Sequence, residues 1–158
     1  IFLFFCSLVS FACSKKILGG SSLSVADGPK VVSTLGANSA RVYGSWRYLC
    51  HHVQWAAIDP AWNASFVLEH LGELAGPFTV DWKWTLVDAE VAGAAKAGVQ
   101  VLLQTGEGTS ESLPLIAGGP FDGQRFDPVV VGPDLYTAVL TLVTYSVSRR
   151  YADQVAMV

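Results

Sequence analysis

Apolar and polar positions along the chain alternate between two periods. Trp84, Val87, Val91, Ala94, Ala95 and Gly98 recur at helical spacing, with Asp88 and Glu90 among the polar positions. Gly98 stands where this helix should stop, because the residue after a helix end often takes a left-handed conformation that glycine adopts freely. Directly afterwards Val99-Gln100-Val101-Leu102-Leu103-Gln104-Thr105 is apolar and β-branched, which predicts a buried strand. The same order then repeats. Pro133 suits a first helical position, and Leu135, Tyr136, Val139, Leu140, Val143 and Val147 form an inward stripe behind it. Arg149-Arg150-Tyr151-Ala152-Asp153-Gln154 then leads into the apolar Val155-Ala156-Met157-Val158. Earlier, Lys16-Ile17-Leu18-Gly19-Gly20-Ser21-Ser22 reads as a short strand dissolving into a loop. Asp27-Gly28-Pro29 opens a short helix over 30–35, and Ala40-Arg41-Val42-Tyr43-Gly44-Ser45-Trp46 reads as a second strand.

Between Arg47 and Pro77 the pattern loosens. It holds the aromatics Tyr48, Trp55 and Trp62, the pair His51-His52, and one helical stretch through Phe66, Val67, Leu71 and Leu74. This is longer than an ordinary connection, so an insertion with its own structure is expected, and such segments often carry function. Asp81 and Trp82 precede the best helix and are expected to cap it and pack against it.

Four strands separated by helical segments, with no Asn-Gly hairpin signal, predict βαβ crossovers and a parallel sheet. An open doubly wound sheet and a closed barrel both fit that order. No Gly-x-Gly-x-x-Gly follows the first strand and no Gly-x-x-x-x-Gly-Lys is present, which weighs against nucleotide binding. The charged helix end running into four final apolar residues reads as a chain entering a buried sheet that needs further strands. The sequence is therefore expected to be a piece of a larger domain.

Composition narrows the function classes. The apolar, uncharged run over 1–14, followed by Lys15-Lys16, is expected to be a secretory leader lacking its start, with Ala12-Cys13-Ser14 offering small residues for cleavage. A membrane anchor or a buried first strand is the alternative. Loss of the leader would leave Cys50 as the sole thiol, without an internal disulfide, in a secreted chain with no stable membrane association. A net charge of −3, from 10 Lys+Arg against 13 Asp+Glu, gives no footprint for nucleic acid. Asn63-Ala64-Ser65 fits the N-glycosylation acceptor pattern. His51-His52 lack a third ligand at recognisable spacing, so neither metal nor cofactor is expected. Gly44-Ser45-Trp46 and Gly108-Thr109-Ser110 lack the Gly-x-Ser-x-Gly elbow of serine hydrolases.

The chain resembles the retaining glycoside hydrolases of clan A, which are (β/α)8 barrels. The resemblance lies in Leu35-Gly36-Ala37-Asn38-Ser39-Ala40-Arg41-Val42-Tyr43-Gly44-Ser45-Trp46, similar to their second strand with its arginine. It continues in Val87-Asp88-Ala89-Glu90 through Ala97-Gly98-Val99-Gln100-Val101-Leu102-Leu103-Gln104, similar to the following helix and third strand. It ends in Arg150-Tyr151-Ala152-Asp153-Gln154-Val155-Ala156-Met157-Val158, similar to the approach to the fourth strand. The resemblance implies an α/β partial TIM barrel, with 15–158 an incomplete catalytic domain out of about 250 residues. It implies hydrolysis of a β-linked oligo- or polysaccharide by two carboxylates held about 5 Å apart. In the family an Asn-Glu pair ends the fourth strand and a further glutamate ends the seventh. Neither motif lies within 1–158, and none of Glu69, Glu73, Glu90, Glu107 or Glu111 matches it. The expected partners are a carbohydrate substrate and the missing carboxy-terminal half of the barrel.

Five residues are candidates for substrate binding. Arg41, a charge within a parallel strand, either reaches solvent at the strand end or, as the resemblance implies, holds the nucleophile ionised. Trp46 offers an indole face to a pyranose or belongs to the core. Tyr43, Gln104 and Glu107 lie at strand exits on the ligand side, with Glu107 either bonding hydroxyls or simply solvated. A catalytically inert carbohydrate-binding or structural barrel fragment is the competing reading. An aldolase-like barrel would need a lysine at a strand end, and the four strands offer only Lys16.

Overall fold

The computed structural model describes residues 19–21, 36, 39–44, 46–78, 80–104, 112–153 and 155–157. The expected leader over 1–14, the expected helix over 30–35 and the loop carrying Glu107 lie outside the described residues. In chain order the elements are β1 (Gly19–Ser21), β2 (Ser39–Tyr43), α1 (Trp46–Leu49), β3 (Cys50–Gln54), a 3-10 turn (Trp55–Ala57), α2 (Ala64–Glu69), α3 (Leu71–Leu74), β4 (Val80–Trp82), α4 (Thr85–Lys96), β5 (Gln100–Gln104), β6 (Leu115–Ala117), α5 (Pro128–Val131), α6 (Pro133–Arg150) and β7 (Val155–Met157).

The fold is mixed α/β. β1, β2, β5 and β7 form a four-stranded sheet in that order, and every pairing is parallel. These are the strands expected from the sequence, neighbours in space in the order they occur along the chain. Ser39 pairs with Gln100, Arg41 with Leu102 and Tyr43 with Gln104. Side chains alternate across a strand, so Ala40, Val42, Val101 and Leu103 share one face. All four are buried, and α4 packs over β2 and β5 with Val87, Val91 and Ala94 buried as well. On the other face Arg41, Gln100 and Gln104 are exposed, Leu102 is half-buried and Ser39, at the amino end of β2, is buried.

α4 keeps the expected apolar stripe except at Ala95, which is exposed; its small side chain loses little by facing water. Asp88 in the first turn and Lys96 in the last complement the helix dipole. Gly98 follows with φ +69°, as a glycine beyond a helix end should. α6 starts on Pro133 and buries Leu135, Ala138, Val139, Leu142, Val143 and Val147. Its hydroxyls bond back to the preceding turn: Thr137 Oγ1 donates to Pro133 O at 2.7 Å, Thr141 to Thr137 O at 2.8 Å and Ser148 to Thr144 O at 3.0 Å.

The segment expected as an insertion contributes β3 to a second sheet, of order β4-β3-β6, whose other two strands lie outside that segment; β3 runs antiparallel to β4 and parallel to β6. Periodicity does not reveal it because β4 and β6 are three residues each. Asp81 and Trp82 therefore belong to a strand, and α4 begins behind Trp84 with no side-chain cap. Adjacent histidines in a regular strand point to opposite faces. Here the register shifts between Cys50 and Val53, and both His51 and His52 are exposed. Cys50 and Val53 join one continuous core with Ala40, Val101, Ile116 and Phe126, so the two sheets share their apolar interior.

The 3-10 turn is held from β6's side. Trp55 meets Phe121 edge to face at 5.3 Å and lies against Gly119, where a Cβ would collide with the indole. Gly119 also has φ +73°, while Gly118, at φ +78°, has open space around it. Gly119→Ala is expected to cost about 3 kcal/mol, combining left-handed strain with overpacking, whereas Gly118→Ala should cost about 1 kcal/mol from strain alone. Denaturant midpoints of the two variants measure the difference.

Candidate functional site

In sheets built from parallel strands, ligands bind beyond the carboxyl ends. At that edge the backbone register sets Tyr43 beside Gln104 and Arg41 beside both Ser21 and Leu102. Arg41 and Gln104 share a face because Leu102, the partner of Arg41, is two residues before Gln104. Both are exposed on the face that α4 does not cover. The arrangement presents a guanidinium with a fixed fork of donors and an amide with both donor and acceptor, suited to polar, hydroxyl-rich or anionic groups. Glu107 lies outside the described residues.

Trp46 is not part of that surface. It opens α1 and is fully buried, its ring stacked on Phe126 at 5.9 Å and on Tyr136 at 6.4 Å. Upstream, Gly44 sits so close to the core that a Cβ there would lie 3.0 Å from Leu103 Cδ1, and α1 then starts with its first side chain inside that core. Among the described residues the Trp46 Nε1 has no hydrogen-bond partner. Asn63 is exposed and caps α2, its Oδ1 accepting from the Phe66 N–H at 3.0 Å, so the acceptor tripeptide begins at a helix start.

A polar tie joins the end of α6, just ahead of β7, to the first turn of α4. Arg150, the last residue of α6, donates to Asp88 of α4 through Nε at 2.9 Å and Nη2 at 2.8 Å, and Tyr151 Oη donates to Asp88 Oδ1 at 2.7 Å. The guanidinium also lies 4.7 Å from the centroid of Trp84, which stacks on Trp82 at 4.5 Å. Such bidentate pairs are among the stronger charged contacts. Arg150 foremost holds the Asp88 carboxyl below its ordinary value, against the opposing pull of burial and with help from Tyr151. Burial first, and then Asp88, pushes the Tyr151 phenol up. The only sign in the sequence is an acidic residue in one helix and Arg-Tyr ending the next, separated by more than sixty positions.

Other groups are chemically quiet. Cys50 is buried, and burial together with Asp81 pushes its thiol up to about 12, far from a reactive thiolate. His52 Nδ1 lies 3.9 Å from Asp81, which Lys83 also approaches at 3.6 Å. Among the described residues no group of three or more His, Cys, Asp or Glu is placed to hold a metal ion. None of the described helices is long and apolar enough to cross a membrane.

Comparison with protein-family models, with curated proteins and with solved structures finds no match.

A carboxyl whose folded value is depressed contributes stability above its unfolded value and loses it as pH falls through the folded one. The contribution of Asp88 should thus be complete at neutral pH and disappear below about pH 4. Asp88→Asn is expected to lower the melting temperature at pH 7 and to flatten its fall between pH 4 and 2. The pair is part exposed, at 41% for Arg150 and 40% for Asp88, so 1 M salt should narrow the gap between variant and parent. Melting curves across pH and salt check both.

Proposed function

We propose that this chain supplies the first four strands of a (β/α)8 barrel in a secreted, retaining glycoside hydrolase acting on a β-linked oligo- or polysaccharide. The observation that carries the reading is the parallel sheet in which spatial order follows chain order, covered by α4 on one face and, among the described residues, exposing Arg41, Gln100 and Gln104 on the other. A doubly wound sheet permutes its strands about a switch point and covers both faces with helices. In a barrel each strand lies beside its predecessor, helices pack outside only, and the inner face closes when the remaining strands arrive. Parallel sheets are ordinarily buried on both sides, which further favours a missing complement to the open face.

On this reading Arg41 and Gln104 line the barrel interior near its catalytic end. Hydrolysis with retention requires one carboxyl to protonate the leaving oxygen and a second carboxylate to attack the sugar carbon from the opposite side. The resemblance puts both beyond residue 158, the first directly after β7. Arg41 then donates charge-assisted hydrogen bonds that keep the attacking carboxylate ionised at neutral pH. The polar tie at Asp88 holds α6 and fixes where β7 delivers the first of these groups.

The test is the protein encoded by the complete transcript. Its sequence is expected to continue into Asn-Glu after Val158, and it should hydrolyse aryl β-glycosides with retained anomeric configuration by proton NMR. Arg41→Met in that protein should reduce kcat/KM about 100-fold or more, through kcat rather than KM. Another residue pair after Val158 and no turnover would favour an inert barrel. Turnover by the purified 158-residue chain would overturn the placement of both carboxylates.

A further inference from the structure

A second place with ligand chemistry lies in the segment between β3 and β4. A shallow cleft of about 640 Å³, wide open to solvent, is lined there by Gln54, Asp59 and Trp62 among the apolar residues Ala56, Ala57, Ile58 and Pro77. That volume falls within the range of small-molecule sites. The walls are set by local hydrogen bonds. Ile58 N donates to Trp55 O and Trp62 N to Asp59 O, both at 3.0 Å, forming successive tight turns. Asp59 Oδ1 accepts from Ala61 N at 2.9 Å, which fixes the carboxylate and leaves Oδ2 free of that bond. Trp62 is half-buried against the core and stands directly before the Asn63 cap of α2. Trp55, next in the chain after Gln54, is wedged against Gly119.

We propose that this cleft is a saccharide-binding site, with a pyranose stacked by its C–H face on the Trp62 indole and its hydroxyls bonded by Asp59 and Gln54. The chemistry selects among ligand classes. The lining carries a carboxylate and no cation, which disfavours phosphates and other anions. An ammonium ligand is ordinarily enclosed by several rings, and one indole lines this cleft. A neutral polyhydroxyl ring needs one flat apolar wall, an acceptor for paired hydroxyls and a group able both to donate and to accept; Trp62, Asp59 and Gln54 supply them in turn. The site requires no catalytic carboxylate, so it stands independently of the reading of the sheet edge.

The experiment titrates the 158-residue chain with cellohexaose, xylohexaose and mannohexaose by calorimetry and by proton–nitrogen NMR, with choline chloride and inorganic phosphate as competing chemistries. At least one hexaose is expected to bind with millimolar or better affinity and to shift the Trp62 indole resonance. Trp62→Ala should weaken binding about tenfold or more, and Asp59→Asn, which keeps the acceptor for Ala61 N, by a similar factor. Leu68→Ala, in the separate groove between α2 and α6, should leave binding unchanged. The proposal is overturned if no hexaose binds, if choline or phosphate shifts the same resonance instead, or if binding survives both cleft variants. Binding lost with Arg41→Met but kept in the cleft variants would move the sugar to the sheet edge and equally overturn it.

Discussion

One-sided burial of the parallel sheet governs what the molecule can do. Ala40, Val42, Val101 and Leu103 go under α4, and strand alternation then forces Arg41 and Gln104 outward on the opposite face. A register slip of one residue would bring a guanidinium into the dry interior, where burying a charge is expensive. The same apolar contacts that stabilise the sheet therefore choose which polar groups meet a ligand. The charge on β2 is compatible with the fold only because that face stays open to water or to polar partners.

The tie between Asp88 and Arg150-Tyr151 works at a different level. Apolar burial holds α4 and α6 in the core, but apolar contacts are non-directional and leave sliding motions cheap. A bidentate ion pair, a phenolic hydrogen bond and the Trp84 face under the guanidinium fix orientation. They sit at the junction where α6 hands the chain to β7, so a modest surface interaction acquires leverage over strand placement.

Long periodic elements were legible in the sequence. The strands near Ala40 and Val101, and the helices behind Trp84 and Pro133, declare themselves by repeated apolar spacing and by Gly98 and Pro133 at their ends. The second sheet was not, because three-residue strands such as β4 carry too few positions for a period, and β3 is interrupted by a register shift at its histidines. Arg41 and Gln104 stood out because polar groups interrupt otherwise apolar strands. Trp46 stayed open between a ligand face and the core because a tryptophan at a strand exit looks alike in either place; folding puts it against Phe126 and Tyr136. The cleft at Trp62 was foreshadowed only by an aromatic-rich stretch too long to be a simple link; Asp59 gains meaning from folding alone.

The back-bonded hydroxyls of α6 have a consequence for its outer flank. Thr137, Thr141 and Ser148 already give their protons to carbonyls of the preceding turn, so their donors do not rely on the surrounding liquid. What they present beyond that is chiefly methyl and methylene surface. Dehydrating this flank would therefore leave these three hydroxyl protons satisfied, so covering it costs less than covering hydroxyls that donate to water.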